Sequence, residues 1–153
     1  MDEIEIKNLV DQYIDLNYSI EKNVESLIKG QISGDLTNDQ QYMLRYINKV
    51  EVCTTSELAE IFHVNKSAIT AIINRLWDKG LIKRTRDEKD RRIIYLTLTN
   101  EGKEVFKQSD SRIHKLVASF ITQFDQTEIE AFMKTYEKLN NIILATKDKN
   151  LGE

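Results

Sequence analysis

The stretch from Thr54 to Thr99, TTSELAEIFHVNKSAITAIINRLWDKGLIKRTRDEKDRRIIYLTLT, leaves few folds open, because start and stop signals follow one another closely along it. Thr54 and Glu57 form a T-x-x-E capping box, so a helix is expected to begin there. Leu58, Ala59, Ile61 and Phe62 supply its apolar side, with small Ala59 where another helix can approach. His63-Val64 interrupts the pattern, and Asn65 is a strong N-cap for a second helix. In that helix Ile69, Ile72, Ile73 and Leu76 recur at i, i+3, i+4 and i+7, which makes one buried face. Gly80, after Lys79, supplies a left-handed terminator. Two strands are expected next, Leu81–Thr85 and Ile93–Leu98, joined by the charged turn RDEKDRR. Helix, tight turn, helix, strand, turn, strand is the outline of a winged helix-turn-helix.

The outward face of the second helix carries Ser67, Thr70, Ala71, Asn74, Arg75 and Asp78, with Lys66 in its first turn. Small, hydroxyl, amide and basic groups are what a helix needs to meet base edges in a major groove. Ala71 offers no hydrogen bond and suits only a thymine methyl. The overall charge of −3 argues poorly for DNA, but its distribution argues well. Between His63 and Arg92 nine basic residues face four acidic ones, a local +5 that leaves −8 on the rest of the chain. A basic patch on an acidic body turns one face toward phosphate.

The rest reads as helix. A first helix over Glu5–Lys29 has a seam of Leu9, Tyr13, Leu16 and Ile20, continued by Val24, Leu27 and Ile28. So long a seam implies pairing with another long helix. Gly30–Asp35 is the break, and Thr37 with Gln40 caps the next helix through Tyr42, Met43, Tyr46 and Ile47. Val50–Cys53 is β-leaning and is expected to add a short third strand beside the wing. Thr99 caps a long helix to about Phe124, with Val105, Ile113, Leu116, Val117 and Phe120 apolar. Asp125 and Glu128 form another capping box, and the last helix carries Ile129, Phe132, Met133, Tyr136, Leu139, Ile142 and Ile143 before a tail, KDKNLGE, expected to fray. The absence of proline and the presence of only five glycines suit a mainly α protein. No apolar run approaches the roughly 18 residues of a membrane span, and the acidic start MDEIEIKN lacks a signal-peptide core, so a cytoplasmic protein is expected.

These residues resemble the MarR family of transcriptional regulators. The matching segments are LTNDQQYML, ELAEIFHVNKSAIT, NRLWDKGLIKR and KDRRIIYLTLTNEG; D-x-R followed by alternating apolar residues and L-T-x-x-G is the most specific. The terminal helices match in length and pattern only. The resemblance implies a mainly α fold with a small β-wing, residues 35–99 forming the DNA-binding region and residues 1–34 and 100–148 a helical dimerisation region. It implies a homodimeric repressor that binds a near-palindromic double-stranded operator, one recognition helix per half-site, half-sites about 34 Å apart. Lys66, Ser67, Thr70, Asn74 and Arg75 are then the recognition-helix contacts. In the wing Arg92 enters the minor groove, held by Asp90, while Arg86, Lys89 and Arg91 meet the backbone and Arg84 is a further DNA-binding residue of the wing. Tyr13, Tyr18, Tyr42 and Tyr46 line a candidate cleft for a small aromatic or anionic effector, although core packing alone accounts for tyrosines at helical spacing.

Other chemistry is thinly represented. There is no nucleophile–His–acid set, phosphate loop, HExxH or CxxC, so neither enzyme, cofactor nor metal is expected. His114 and Asp110 have i, i+4 spacing, too little for a dedicated metal site. His63, where many such turns have glycine, tolerates positive φ. The lone Cys53 excludes an intrachain disulfide and reads as a small buried hydrophobe; the alternative is a thiol sensor, decided by exposure and pKa. The rival of a different class is a winged-helix module for protein contacts without DNA. It would carry apolar anchors where this chain carries basic groups.

Overall fold

The computed structural model describes residues 1–152. Six helices and a small sheet follow in the order α1 (Glu3–Lys29), α2 (Asn38–Val50), β1 (Cys53–Thr54), α3 (Thr55–Phe62), α4 (Lys66–Asp78), β2 (Ile82–Arg86), β3 (Ile94–Leu98), α5 (Asn100–Ile121) and α6 (Gln126–Leu151). The chain divides into two units, residues 1–113 and 114–153, with α5 running through the division.

In the first unit the caps explain the boundaries. Asp2 and Glu5 make a reciprocal capping box, which moves the start of α1 to Glu3, two residues before the expected Glu5. Thr37 and Gln40 make the box that opens α2. Thr54 accepts the Glu57 N–H at 3.2 Å, half of the anticipated box. Asn65 accepts the Ala68 N–H at 2.9 Å and opens α4. His63 sits at φ 51°, in the left-handed region the tight turn requires, and Gly80 at φ 71° ends α4. Glu51 is the other non-glycine at positive φ (69°), where Val52 N–H donates to Val50 C=O in a γ-turn. That turn takes residues 50–52 out of the expected β segment, and the strand is Cys53–Thr54, sharing only Cys53 with it.

The sheet is antiparallel in the order β1-β3-β2, with Ile82 opposite Leu98, Arg84 opposite Leu96 and Arg86 opposite Ile94. Both wing strands start one residue later than expected, at Ile82 and Ile94. Met43, Leu44, Ile47, Leu58, Ile69, Leu76, Ile82 and Leu96 are the centre of one core, and Ile73, Leu81, Leu98 and Phe106 extend it. The start of α5 is tied to this core. Thr99 N–H donates to Leu81 C=O at 3.0 Å, the Thr99 hydroxyl donates to Gly80 C=O at 2.7 Å and accepts from Gly102 N–H at 2.9 Å. A Cβ on Gly102 would lie 2.0 Å from the Leu81 carbonyl oxygen, so L-T-x-x-G marks a place where only glycine lets the α5 backbone meet the residue that leads into β2.

The long helices contrast with this core. No residue of α1 is buried; Leu9, Tyr13, Leu16 and Ile20 are each about half exposed. In the second unit none of the described α6 side chains is buried, and Phe132, Met133, Tyr136, Ile142 and Ile143 are about half exposed. α5 ends at Ile121, three residues short of the expected Phe124, because Asp125 and Glu128 begin the next capping box. The tail expected to fray is helical to Leu151, and its last residue, Glu153, lies outside the described residues.

Candidate nucleic-acid interface

The second helix of the helix-turn-helix, α4, buries Ile69, Ile73 and Leu76 and turns the other side outward. Lys66, Ser67, Thr70, Asn74 and Arg75 are all exposed on it. Two of the hydroxyls donate within the chain: Ser67 to Asn65 Oδ1 at 2.7 Å and Thr70 to the Lys66 carbonyl at 2.7 Å. Their oxygens remain acceptors toward anything outside.

The wing is built by Asp87. Its carboxylate accepts the Lys89 and Asp90 N–H groups, each at 2.9 Å, and the Tyr95 hydroxyl at 3.0 Å. These bonds, the two backbone ones foremost, hold its pKa below the usual carboxylate value, and the hydrogen bond to Asp87, then its charge, raises that of Tyr95. Arg86 Nη1 spans the hairpin to the Arg91 carbonyl at 2.9 Å. At the tip Asp90 grips Arg92 in a fork: Nε to Oδ1 and Nη2 to Oδ2, both 3.0 Å, with the Arg92 N–H on Oδ1 at 3.1 Å. The bonds from Arg92 lower the pKa of Asp90, and the carboxylate raises that of the guanidinium. The Arg92 side chain is nevertheless 90% exposed, against 37% for Asp90. The aspartate fixes a cation's direction without covering it.

Arg84 is differently placed. Alternation along β2 puts it on the same face as buried Ile82, toward α4. There its Nη2 donates to Asn74 Oδ1, and its guanidinium carbon lies 5.1 Å from the centre of the Trp77 ring. Arg84 and Asn74, which the sequence assigns separately to wing and recognition helix, are thus partners. Lys79, another of the nine basic residues, pairs with Asp35 at 2.9 Å.

A sequence model of the MarR family matches residues 36–94. A MepR-like protein crystallised with pseudoligands is 30% identical to the chain, which covers 95% of that protein with 88% of its own length at a TM-score of 0.68. The chain belongs to the MarR family. The HTH-type transcriptional regulator BilQ of Clostridioides difficile is 27% identical over 150 residues, 95% of this chain and 100% of BilQ. The HTH-type transcriptional repressor MdtR of Bacillus subtilis is 29% identical over 119 residues, 78% and 77% of the two chains. A cysteine-to-serine variant of E. coli MarR complexed with operator DNA has the same fold, with 21% identity, a TM-score of 0.76, and coverage of 91% and 99%. The chain is a winged-helix transcriptional regulator and not an enzyme.

Other sequence candidates in this MarR-family chain fare unevenly. Of the four tyrosines, Tyr42 packs edge-on against Phe62, with ring centres 5.5 Å apart, and Tyr46 packs partly buried against the core. Burial is the first cause of the raised pKa of Tyr46. Tyr13 and Tyr18 are exposed on α1, and Lys22 Nζ lies 5.9 Å from the Tyr18 ring centre. A cavity of about 490 Å³ has other walls, Ile47, Asn48, Glu51, Thr97, Leu98 and Lys103. Cys53 is buried, and desolvation, then the charge of Glu57, pushes its thiol pKa up to about 11. At neutral pH it is a thiol without access, the reverse of a sensor's requirements. Asp110, considered with His114 as a metal pair, accepts Arg45 at 2.7 Å. Among the described residues no three His, Cys, Asp or Glu side chains cluster as metal ligands, and no helix is long and apolar enough to cross a membrane.

Proposed function

We propose that the chain is a homodimeric, sequence-specific DNA-binding repressor of the cytoplasm, with α4 in the major groove and the wing arginine in the minor groove. The observation that carries the reading is Arg92: a fully charged side chain, aimed by a two-bond fork from Asp90, yet 90% exposed. Such a group has no structural work left to do, and a narrow minor groove is where its charge finds the strongest potential. Lys66, Ser67, Thr70, Asn74 and Arg75 lie on the exposed side of α4 and suit base edges and adjacent phosphates. Arg86, Lys89 and Arg91 suit the backbone. The operator-bound E. coli relative, which shares the fold, supports the same docking.

The dimer is inferred from surface economy. A 27-residue helix with no buried residue, α1, keeps Leu9, Tyr13, Leu16 and Ile20 half exposed, and α6 does likewise with Phe132, Met133 and Tyr136. Apolar stripes of this length are stable in water only when covered. Residues 1–34 and 100–148 then supply the dimer and residues 35–99 the DNA-binding region, with a near-palindromic operator as consequence. A small aromatic or anionic effector remains part of the proposal, with Gln41 as its new observation. Gln41 is 4% exposed, and its amide nitrogen and oxygen have no hydrogen-bond partner among the described residues. The similarity to MdtR, a transcriptional repressor, supports the sign of regulation.

The test is binding to random and selected duplexes across a salt series. The expected result is affinity falling steeply with salt, roughly 0.9 log unit per log unit of salt for each phosphate neutralised, and a selected site with an inverted repeat. Absence of binding to any duplex at low salt would overturn the reading in favour of a protein-contact module.

A further inference from the structure

We propose that Arg84 is a positioning residue for base readout: it sets Asn74 to donate from Nδ2 to an acceptor-rich base edge, guanine O6 and N7 above all. The inference rests on the DNA-binding reading, and asks which base that interface prefers at one position.

An asparagine amide has an acceptor at one end and donors at the other, and bidentate contact with adenine uses both. The oxygen must accept from adenine N6 while the nitrogen donates to N7. In this chain the oxygen is already engaged, because Arg84 Nη2 donates to Asn74 Oδ1. Arginine carries donors only, so the amide atom facing it is necessarily the oxygen, which settles the orientation of a group that can otherwise flip. The guanidinium is itself held: its carbon lies 5.1 Å from the ring centre of Trp77, three residues along from Asn74 on the same helix. Strand alternation turns Arg84 toward α4, since Ile82 on the same face of β2 is buried in the core.

Two consequences follow for a base opposite Asn74. The donor nitrogen is the free end of the amide, and Asn74 is exposed on the recognition helix. A base amino group approaching Oδ1 meets the positive hydrogens of Arg84, so adenine N6 and cytosine N4 are disfavoured. Guanine offers two adjacent acceptors to the amide donors and the nearby cation, and thymine offers one, O4. Arg84 therefore acts through Asn74 and does not contribute an independent phosphate contact.

The test combines operator selection from a randomised duplex library with Asn74→Ala and Arg84→Met, the latter keeping an unbranched stem against Trp77 without donors. Wild type should select one base pair per half-site, guanine first, whose preference disappears in Asn74→Ala. Arg84→Met should relax the same base pair by roughly tenfold, with adenine gaining, and leave preferences elsewhere unchanged. Trp77 is the only tryptophan, so its emission should change in Arg84→Met without DNA, reporting the lost cation stacking. A wild-type preference for adenine or cytosine at the Asn74-dependent position would overturn the proposal, and that measurement needs no Arg84 variant to fold. Equal weakening of all sequences by Arg84→Met, with a shallower salt slope, would make Arg84 a phosphate contact instead. Failure of the wild type to bind any duplex would overturn the DNA reading itself, a result distinct from either.

Discussion

Replacing Gly102 with alanine tests the junction that ties the DNA-binding region to the helix leaving it. The new Cβ would stand 2.0 Å from the Leu81 carbonyl oxygen, 2.9 Å from its carbon and 3.2 Å from its Cα, all backbone atoms without rotamers to yield. An ordinary contact therefore requires α5 and the Leu81 backbone, just ahead of β2, to separate by more than an ångström. That displacement stretches the Thr99 N–H bond to Leu81 and the Thr99 hydroxyl bond to Gly80, now 3.0 and 2.7 Å. Overpacking of this kind costs about 1–3 kcal/mol, and each weakened hydrogen bond about 1 kcal/mol. Alanine's better helix propensity returns less than about 1 kcal/mol. The expected net loss is about 2–4 kcal/mol, or roughly 5–15 °C in Tm for a chain of this size. Urea unfolding followed by Trp77 emission and by helical circular dichroism, at matched protein concentration, measures it. Gly30→Ala is the control, since its Cβ would meet only Leu27 O at 3.4 Å and Ser26 O at 3.8 Å, and its φ of −63° suits any residue. Gly102→Ala within about 0.5 kcal/mol of wild type would refute the reasoning, because surface substitutions alone span that range.

Arg92→Ala is expected to weaken DNA binding twice per dimer, and Asp90→Ala to do the same less severely by releasing the fork; normal operator affinity in folded Arg92→Ala protein would remove the wing tip from the interface. A charge placed in the apolar stripes by Leu16→Lys or Leu139→Lys should shift sedimentation toward monomer, and a wild type already monomeric at micromolar concentration would contradict the dimer. Cys53, with its pKa at about 11, should react with a thiol reagent at pH 7–8 far more slowly than free cysteine until the protein unfolds, and equal rates would reopen thiol sensing. Asp87 has a folded pKa below its unfolded one, so its contribution to wing order is present above the unfolded value near 3.9 and is lost as pH falls through the folded value. DNA binding should accordingly show no Asp87-linked loss between pH 5 and 7, while Asp87→Asn should weaken it at every pH in that window.

The features legible in the sequence are those whose causes lie within a few residues. Asn65, Thr37 and Asp125 cap helices because each side chain reaches an N–H three residues on, and nothing elsewhere in the fold can take that bond away. The same locality makes the left-handed His63 readable, whereas the Asp90–Arg92 fork is expected from the family resemblance and is equally local. Contacts between distant elements are not. Nothing in the spacing of Gly102 announces that a Cβ there would strike Leu81, and nothing in the composition of the wing separates Arg84 from Arg86 as charges.

Yet a signal for Arg84 is present in the strand's own period. Ile82, Arg84 and Arg86 share one face of β2, and once Ile82 is assigned to the core its neighbour two residues on must point at the helix packed there. Arg86 escapes the same fate because the hairpin turns beside it, and its guanidinium reaches across to Arg91 instead. Counting cations treats all nine as one electrostatic patch, which predicts a salt dependence but no order among them. Geometry sorts them: Arg92 is aimed outward, Arg84 is committed to Asn74 and Trp77, and Lys79 is paired with Asp35. A charge drawn inward in this way still adds to the long-range field that brings DNA to the surface, because Asn74 and Trp77 are neutral. Its short-range effect is spent on orienting an amide, and so it appears in which base is preferred more than in how tightly DNA is held.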